Sequence, residues 1–302
     1  MSDHGDESGG GATATEAGDR TLFAPGEQVD HFRVMRMLGK GGMGEVYLAR
    51  DTKLGRKVAL KVINPRLFRS SEAVERFLFE ARTTARFNHP HIETIHSAGV
   101  WRGLPYLALE YLEGQTLRRR MDAEQLSVRE SMRYALAIAE ALQEAHRHKV
   151  LHRDLKPANV MLPRDGRLRV LDFSLAKIMP AGAASPAPEI DPRGETVSAP
   201  RVQALPSGDD LGDEALTSED GVICGTPTYM APEQWLARKP SAATDIWALG
   251  VILYELLQGE RPYRSRSMME LRSMVIAPAP VPAVTGGEAM ALPLSLIHIS
   301  EP

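Results

Sequence analysis

Two strand-like runs meet at a cluster of glycines, and that junction constrains the fold more than any other part of the chain. Phe32-Arg33-Val34-Met35-Arg36-Met37-Leu38 leads into Gly39-Lys40-Gly41-Gly42-Met43-Gly44, and Glu45-Val46-Tyr47-Leu48-Ala49-Arg50 resumes the strand pattern. Glycines at G-x-G-x-x-G spacing let backbone amides approach a phosphate closely. In a dinucleotide-binding unit the same motif opens a helix. Here a strand follows, which excludes that fold and predicts a glycine-tipped hairpin. Glycines also make plain hairpin turns, so the motif alone does not establish a phosphate site. A third strand is predicted over Lys57-Val58-Ala59-Leu60-Lys61-Val62-Ile63.

A second motif carries the chemistry. His152-Arg153-Asp154-Leu155-Lys156-Pro157-Ala158-Asn159 puts a base, cations and an amide oxygen within eight residues. Phosphoryl transfer from a nucleotide needs such groups together: a carboxylate for the attacking hydroxyl, positive charge for the migrating group, and an oxygen ligand for Mg²⁺. Leu171-Asp172-Phe173 follows with a further carboxylate. Alternation along the third strand leaves the role of Lys61 open, because Ala59 and Lys61 share one face and Leu60 and Val62 the other. Glu80 offers a partner. A helix starting near Ser70-Ser71, with Ser71 as N-cap, turns Val74, Phe77, Leu78, Ala81 and Ala85 inward, and Glu80 falls on or beside that face. A carboxylate buried there needs a cation, and Lys61 is the expected one.

With these motifs in this order the chain resembles the eukaryotic-like bacterial serine/threonine protein kinases over about residues 32–280. Lys156-Pro157 favours the Ser/Thr branch over the Tyr branch. The resemblance implies an α+β, bilobal fold: an N-lobe antiparallel sheet with one helix, and a mainly helical C-lobe. It implies ATP and Mg²⁺ as cofactors. Leu38, Gly39, Gly41, Gly42, Gly44, Val46, Ala59 and Lys61 would hold the nucleotide, with Glu110 and Leu112 offering backbone hydrogen bonds to adenine after the gatekeeper Leu109. Asp154 would be the base, Lys156 would stabilise the phosphoryl oxygens, and the Lys61–Glu80 pair would complete the catalytic set. Asn159 and Asp172 would bind the metal. His152 is read as a hydrogen-bonded core residue.

In the activation segment, Gly225 to Glu233 resembles the substrate-docking loop with its terminal Ala-Pro-Glu, and Thr226 would bond near Asp154 and Lys156. Thr217 and Ser218 stand where bacterial relatives autophosphorylate, and Arg153 would pair with the phosphate; both hydroxyls are otherwise plain loop groups. Asp220 lies near a second usual phosphosite. Ser174 departs from the family pattern, which has glycine after Asp-Phe; serine resists backbone angles that glycine tolerates. That departure is the only support for the alternative of a non-catalytic pseudokinase or scaffold.

Around this core, residues 1–29 read as a disordered acidic tail, 30–111 as the N-lobe and 112–285 as the C-lobe. Tyr106–Tyr111 is a predicted strand, Ser127-x-x-Glu130 a capping box opening a long helix, and Val150–Leu171 holds two short strands flanking the catalytic loop. The Ala/Pro/Gly-rich stretch 179–220 reads as a flexible insertion, and Asp245–Leu257, apolar nearly all round, as a buried helix. Residues 286–302 look non-native, and 294–302 resembles a translated sequencing adapter. That reading expects a truncated C-lobe in which Glu233 lacks the arginine it pairs with in the family and the buried helix is exposed on one side, and it adds a third alternative, a non-folding fragment of an active kinase.

A net charge of −3 argues against a nucleic-acid or anionic-membrane surface. No apolar run approaches the roughly 20 residues of a membrane span. The single cysteine, Cys224, fits a reducing cytoplasm. The expected partners are protein substrates with Ser or Thr, and a second kinase copy for trans-autophosphorylation.

Overall fold

Residues 21–68, 70–85, 88–173, 217–218, 221–222, 227–265 and 267–277 are described by a computed structural model. The glycine-tipped hairpin forms as expected, but its strands run into the glycines. β2 (Phe32–Gly41) pairs antiparallel with β3 (Gly44–Asp51), leaving only Gly42 and Met43 at the turn. Gly44 is required by its surroundings. Its φ is +136°, and a Cβ there would lie 2.0 Å from the Val62 carbonyl oxygen.

The sheet has six strands in the order β1-β2-β3-β4-β6-β5. β1 is Gln28–Val29 and β4 Lys57–Ile63; β6 (Leu104–Glu110) begins two residues before the predicted strand. β5 (Ile95–Trp101) is a strand that sequence reasoning missed; its residues are mostly half-buried and give little alternation. One sheet face packs Val58, Leu60, Val62, Tyr47, Tyr106 and Phe32 together. The other face meets α1 (Ser71–Thr84) through Ile63, Phe77, Ala81, Leu107 and Leu109. Ser70, not Ser71, caps α1: it is extended and its hydroxyl accepts from Ala73 N at 3.3 Å. Phe77 and Ala81 are buried as predicted, while Val74 and Leu78 are half-buried and Ala85 is exposed.

The second lobe is mainly helical: α2 (Leu117–Ala123), α3 (Val128–Arg147), α4 (Pro232–Trp235), α5 (Ala242–Gln258) and α6 (Met268–Ile276). Ser127 and Glu130 form the predicted capping box on α3. Between α3 and α5 lies a core of Ile138, Leu142, Val251, Ile252 and Leu256. α5 is buried along one face, with Ala248, Val251, Ile252 and Leu256 inside, and Ile246 on the other is 42% exposed. It starts at Ala242 because Ser241 caps it, and its buried face carries Asp245 and Glu255 among apolar residues. Glu233, expected to lack its arginine, accepts a hydrogen bond from the Thr244 hydroxyl at 2.5 Å. The reason is proximity: α4 ends a few residues before α5 begins, bringing the two side chains together.

A small sheet, β7-β8-β9, holds the catalytic loop. Two short strands were expected to flank the catalytic loop; instead β8 (Val160–Pro163) and β9 (Arg169–Val170) both follow it, and β7 (Gly114–Thr116) joins them from the linker between the lobes. At the end of the segment read as a flexible insertion, β10 (Thr217–Ser218) pairs with β11 (Gly221–Val222), which lies just past it. The Thr217 and Ser218 side chains, Ser174, Asp220, Cys224, Thr226 and residues 286–302 lie outside the described residues.

Candidate active site

Cross-strand register settles the face that alternation left open. Lys61 on β4 stands opposite Val46 on β3 and Leu107 on β6, and Ala59 opposite Leu48 and Leu109. The row belongs to the sheet face that meets α1. Val46 and Ala59 are half-buried there, and Lys61 is buried. Leu38, at the approach to the glycines, keeps 38% of its surface exposed. At Gly39, Gly41 and Gly42 no protein atom lies within 4 Å of where a Cβ would be. Unlike Gly44, these three glycines are not demanded by neighbouring protein atoms, which suits a loop kept bare for close approach of a ligand.

The Lys61 ammonium donates to Asp172 Oδ1 at 2.7 Å. This corrects the expected Lys61–Glu80 pair. Asp172 reaches Lys61 from the second lobe, and Glu80, half-buried on α1, makes its interaction elsewhere.

Asp154, Lys156 and Asn159 converge on one loop. The Lys156 ammonium lies 3.3 Å from Asp154 Oδ2. The Asn159 amide donates to the Asp154 carbonyl at 2.8 Å and faces Asp154 Oδ2 at 3.4 Å. With its nitrogen so committed, Asn159 has its amide oxygen left as a donor for a cation. The loop is tied to the segment that follows β9 and carries Asp172: Leu171 N donates to Asn159 O at 2.8 Å. His152 Nε2 meets Leu171 O at 2.9 Å, and its ring sits edge-on to Phe173 at 4.9 Å. His152 is buried and structural, as its reading expected.

Asp245 fixes the loop from below. Its Oδ2 accepts the His152 N–H at 2.9 Å and its Oδ1 the Arg153 N–H at 2.8 Å, while His146 of α3 lies 2.7 Å from Oδ2. Burial alone would raise the Asp245 pKa, but His146 and the two backbone N–H groups outweigh it and hold the carboxyl below its ordinary value. Gln234 closes the frame by donating to the Arg153 carbonyl at 2.8 Å. Arg153 and Asp172 adopt left-handed backbone angles, φ +64° and +67°, which L-residues rarely keep unless their surroundings impose them.

Two features were missed from sequence. Glu255 on α5 accepts from the Tyr229 hydroxyl at 2.6 Å and from Arg118 at 2.7 Å, joining the docking-loop segment to α2 and α5. Glu93 lies beside Asp172; burial first and then the Asp172 charge push its pKa up to about 8, against the pull of Lys61. An acid inside the apolar-flanked Ile92-Glu93-Thr94-Ile95 was the available signal.

The protein kinase domain model matches residues 32–197 and 210–285. The chain belongs to the protein kinase domain family. This kinase domain is 32% identical over 260 residues to the serine/threonine-protein kinase PknA of Mycobacterium tuberculosis, covering 83% of this chain and 52% of PknA. It is 30% identical to PknB of Mycolicibacterium smegmatis, covering 86% of this chain and 38% of that kinase. The chain thus spans about half or less of the length of these relatives. The crystal structure of the M. tuberculosis PknI kinase domain superimposes with a TM-score of 0.58 at 27% identity, covering 80% of this chain and 78% of that one. The bilobal kinase fold follows, and the family uses ATP and a divalent metal ion. Among the described residues, no helix is long and apolar enough to cross a membrane.

Proposed function

We propose that the chain transfers the γ-phosphoryl group of ATP to serine and threonine hydroxyls of protein substrates, its own activation segment included. The observation that carries this reading is the joining of Asp154, Lys156 and Asn159 on one loop, hydrogen-bonded through Leu171 to the segment of Asp172, with Lys61 reaching Asp172 from the other lobe.

The residue roles follow from chemistry. Asp154 orients the substrate hydroxyl and accepts its proton. Lys156, beside it, carries positive charge to the phosphoryl oxygens, and Lys61 does the same for the inner phosphates. Leu38, Val46 and Ala59 offer apolar surface to adenine, with the Glu110 and Leu112 backbone at its edge. Gly39, Gly41, Gly42 and Gly44 leave the hairpin tip open to phosphates.

The donor set fits Mg²⁺. One carboxylate (Asp172) and one amide oxygen (Asn159) are hard ligands, and Mg²⁺ is usually completed by phosphates and water, not by an all-protein cage. Among the described residues no group of three or more His, Cys, Asp or Glu side chains is placed to hold a metal alone, which agrees with a site shared with a nucleotide. Bound there, Mg²⁺ would neutralise charge on the transferring phosphate. Arg153, next to Asp154, would pair with a phosphate on Thr217 or Ser218 and order the segment, and a second copy of the chain would deliver it.

The test is Mg-ATP-dependent labelling of the chain and of a generic basic protein, with mapping of the phosphorylated residues. Asp154→Asn should lower transfer by at least about a hundredfold, since general-base catalysis contributes roughly 10²–10⁴, and should leave ATP binding nearly intact. Normal turnover in that variant would remove Asp154 from its role.

A further inference from the structure

At Gly39, Gly41 and Gly42 the glycine hairpin meets no protein atom that a side chain there could pack on. Glycine leaves the backbone free to move, and a two-stranded hairpin by itself is at best marginally stable. The hold has to come from the flank, where Glu45 directly follows Gly44. Glu45 stands opposite Lys40 on β2 and Val62 on β4, which puts it on the sheet face away from α1. Its carboxylate is buried, and three donors meet it. Leu22 N donates to Oε2 at 2.8 Å, the Tyr47 hydroxyl donates to the same oxygen, and the Lys40 ammonium lies 3.4 Å from Oε1.

Leu22 belongs to a strap, residues 22–29, that reaches both hairpin strands. Gly26 N donates to Val34 O at 2.8 Å and Val34 N to Glu27 O at 2.9 Å, which fixes the strap to β2. On β3, Phe23 N donates to the Tyr47 hydroxyl at 3.1 Å, and the buried Phe23 ring stands edge-on to Tyr47 at 5.8 Å. Val46, between Glu45 and Tyr47, points to the opposite face, where adenine is placed. Burial alone would raise the Glu45 pKa, but Tyr47, Leu22 and Lys40 outweigh it and hold the carboxyl below its ordinary value. An aliphatic side chain would cover this face without the cost of burying an acid. What it would not supply is one acceptor shared by the strap, by β3 and by a cation of the glycine motif.

We infer that Glu45 is a positioning residue for nucleotide binding: by gathering Leu22, Tyr47 and Lys40 it clamps the strap to β3 and holds the glycine hairpin in the arrangement that receives the phosphates. This rests on the kinase reading, in which the hairpin covers ATP.

The full chain and its Glu45→Leu, Glu45→Gln and Phe23→Ala variants, with the double variant Glu45→Leu, Phe23→Ala, would be assayed for phosphate transfer to a generic basic protein at varied Mg-ATP. Thermal melts would run in parallel. Glu45→Leu and Phe23→Ala should each raise KM for ATP about tenfold, as when the binding-competent arrangement falls to about a tenth of the population. Their kcat should stay within about twofold, since the hold serves the ground and transition states alike. The double variant should be no worse than either single one, because residues acting through one contact are not additive. Glu45→Gln keeps an acceptor oxygen for Leu22 and Tyr47 and should restore most of the wild-type KM.

Wild-type KM in both single variants would overturn the inference. A loss confined to kcat would do the same, placing the effect on the chemistry and not on the hairpin. Additive losses would separate Glu45 from the strap, and a Glu45→Gln variant as impaired as Glu45→Leu would make charge the cause; each overturns it. So would loss of cooperative melting in both Glu45→Leu and Phe23→Ala, which would make the strap a stability element alone. A wild-type chain that transfers no phosphate from Mg-ATP would sink the kinase reading itself, and the inference with it.

Discussion

Lys61 has a side chain only 10% exposed, so its charge must be met by an anion. Sequence spacing offered Glu80, and the structure supplies Asp172. The choice between them depends on where α1 sits against β4 and how closely the second lobe approaches, and neither is encoded in the local pattern around Lys61. Asp172 keeps 24% of its side chain exposed, so water can take over its solvation when Lys61 is removed. Lys61→Met should therefore fold with a melting temperature close to wild type. Transfer should fall by roughly 10²-fold or more, the usual loss when one group stabilising transition-state charge is deleted. Parallel thermal melts and phosphate-transfer rates check this; a variant with normal rates would show that Lys61 serves the Asp172 contact alone.

Asp245 shows how one side chain acts for three elements. It stands in the first turn of α5, takes His146 from α3 and holds the catalytic loop by two N–H groups. Its folded pKa is depressed, so its stabilisation is complete above the ordinary value of 3.8 and disappears as pH falls through the lower folded value. Asp245→Asn should lose about 2–3 kcal/mol at neutral pH, as expected for charged hydrogen bonds. Its stability should fall less steeply than that of wild type below pH 3.8, read from denaturant melts across that range. An unchanged acid limb would show that other carboxylates govern it. Elements with strong local signals were legible in the sequence: the Ser127–Glu130 capping box, the glycine hairpin and the third strand. β5 and β7 were not read as strands, because half-buried β5 shows little alternation and three-residue β7 is defined by its partner and not by a period of its own. The catalytic loop was readable for the opposite reason, since Asp154, Lys156 and Asn159 are neighbours in sequence and bond to one another directly. Glu93 was not, because its meaning comes from Asp172, which only the tertiary fold places beside it.

At the scale of the whole molecule, the two lobes share more than the Lys61–Asp172 pair. The stretch after α1 belongs by sequence to the sheet lobe, yet Ile92 is 4% exposed and packs in the core of the helical lobe with Leu117, Leu142, Val150 and Leu168. The flanking hydrogen bonds to Val170 and the His91 Nδ1 contact to the Leu168 carbonyl at 2.9 Å make this a stitch of backbone and core, not a surface contact. Ile92→Ala removes a core side chain at that stitch and should cost about 2–5 kcal/mol, the usual range for such a truncation. Because Ile92 belongs to one lobe by sequence and to the other by packing, the loss should lower a single cooperative transition followed by both tryptophan fluorescence and circular dichroism. Two separated transitions in the variant, with the upper one at the wild-type midpoint, would mean that the lobes fold independently and that the stitch carries no stability between them.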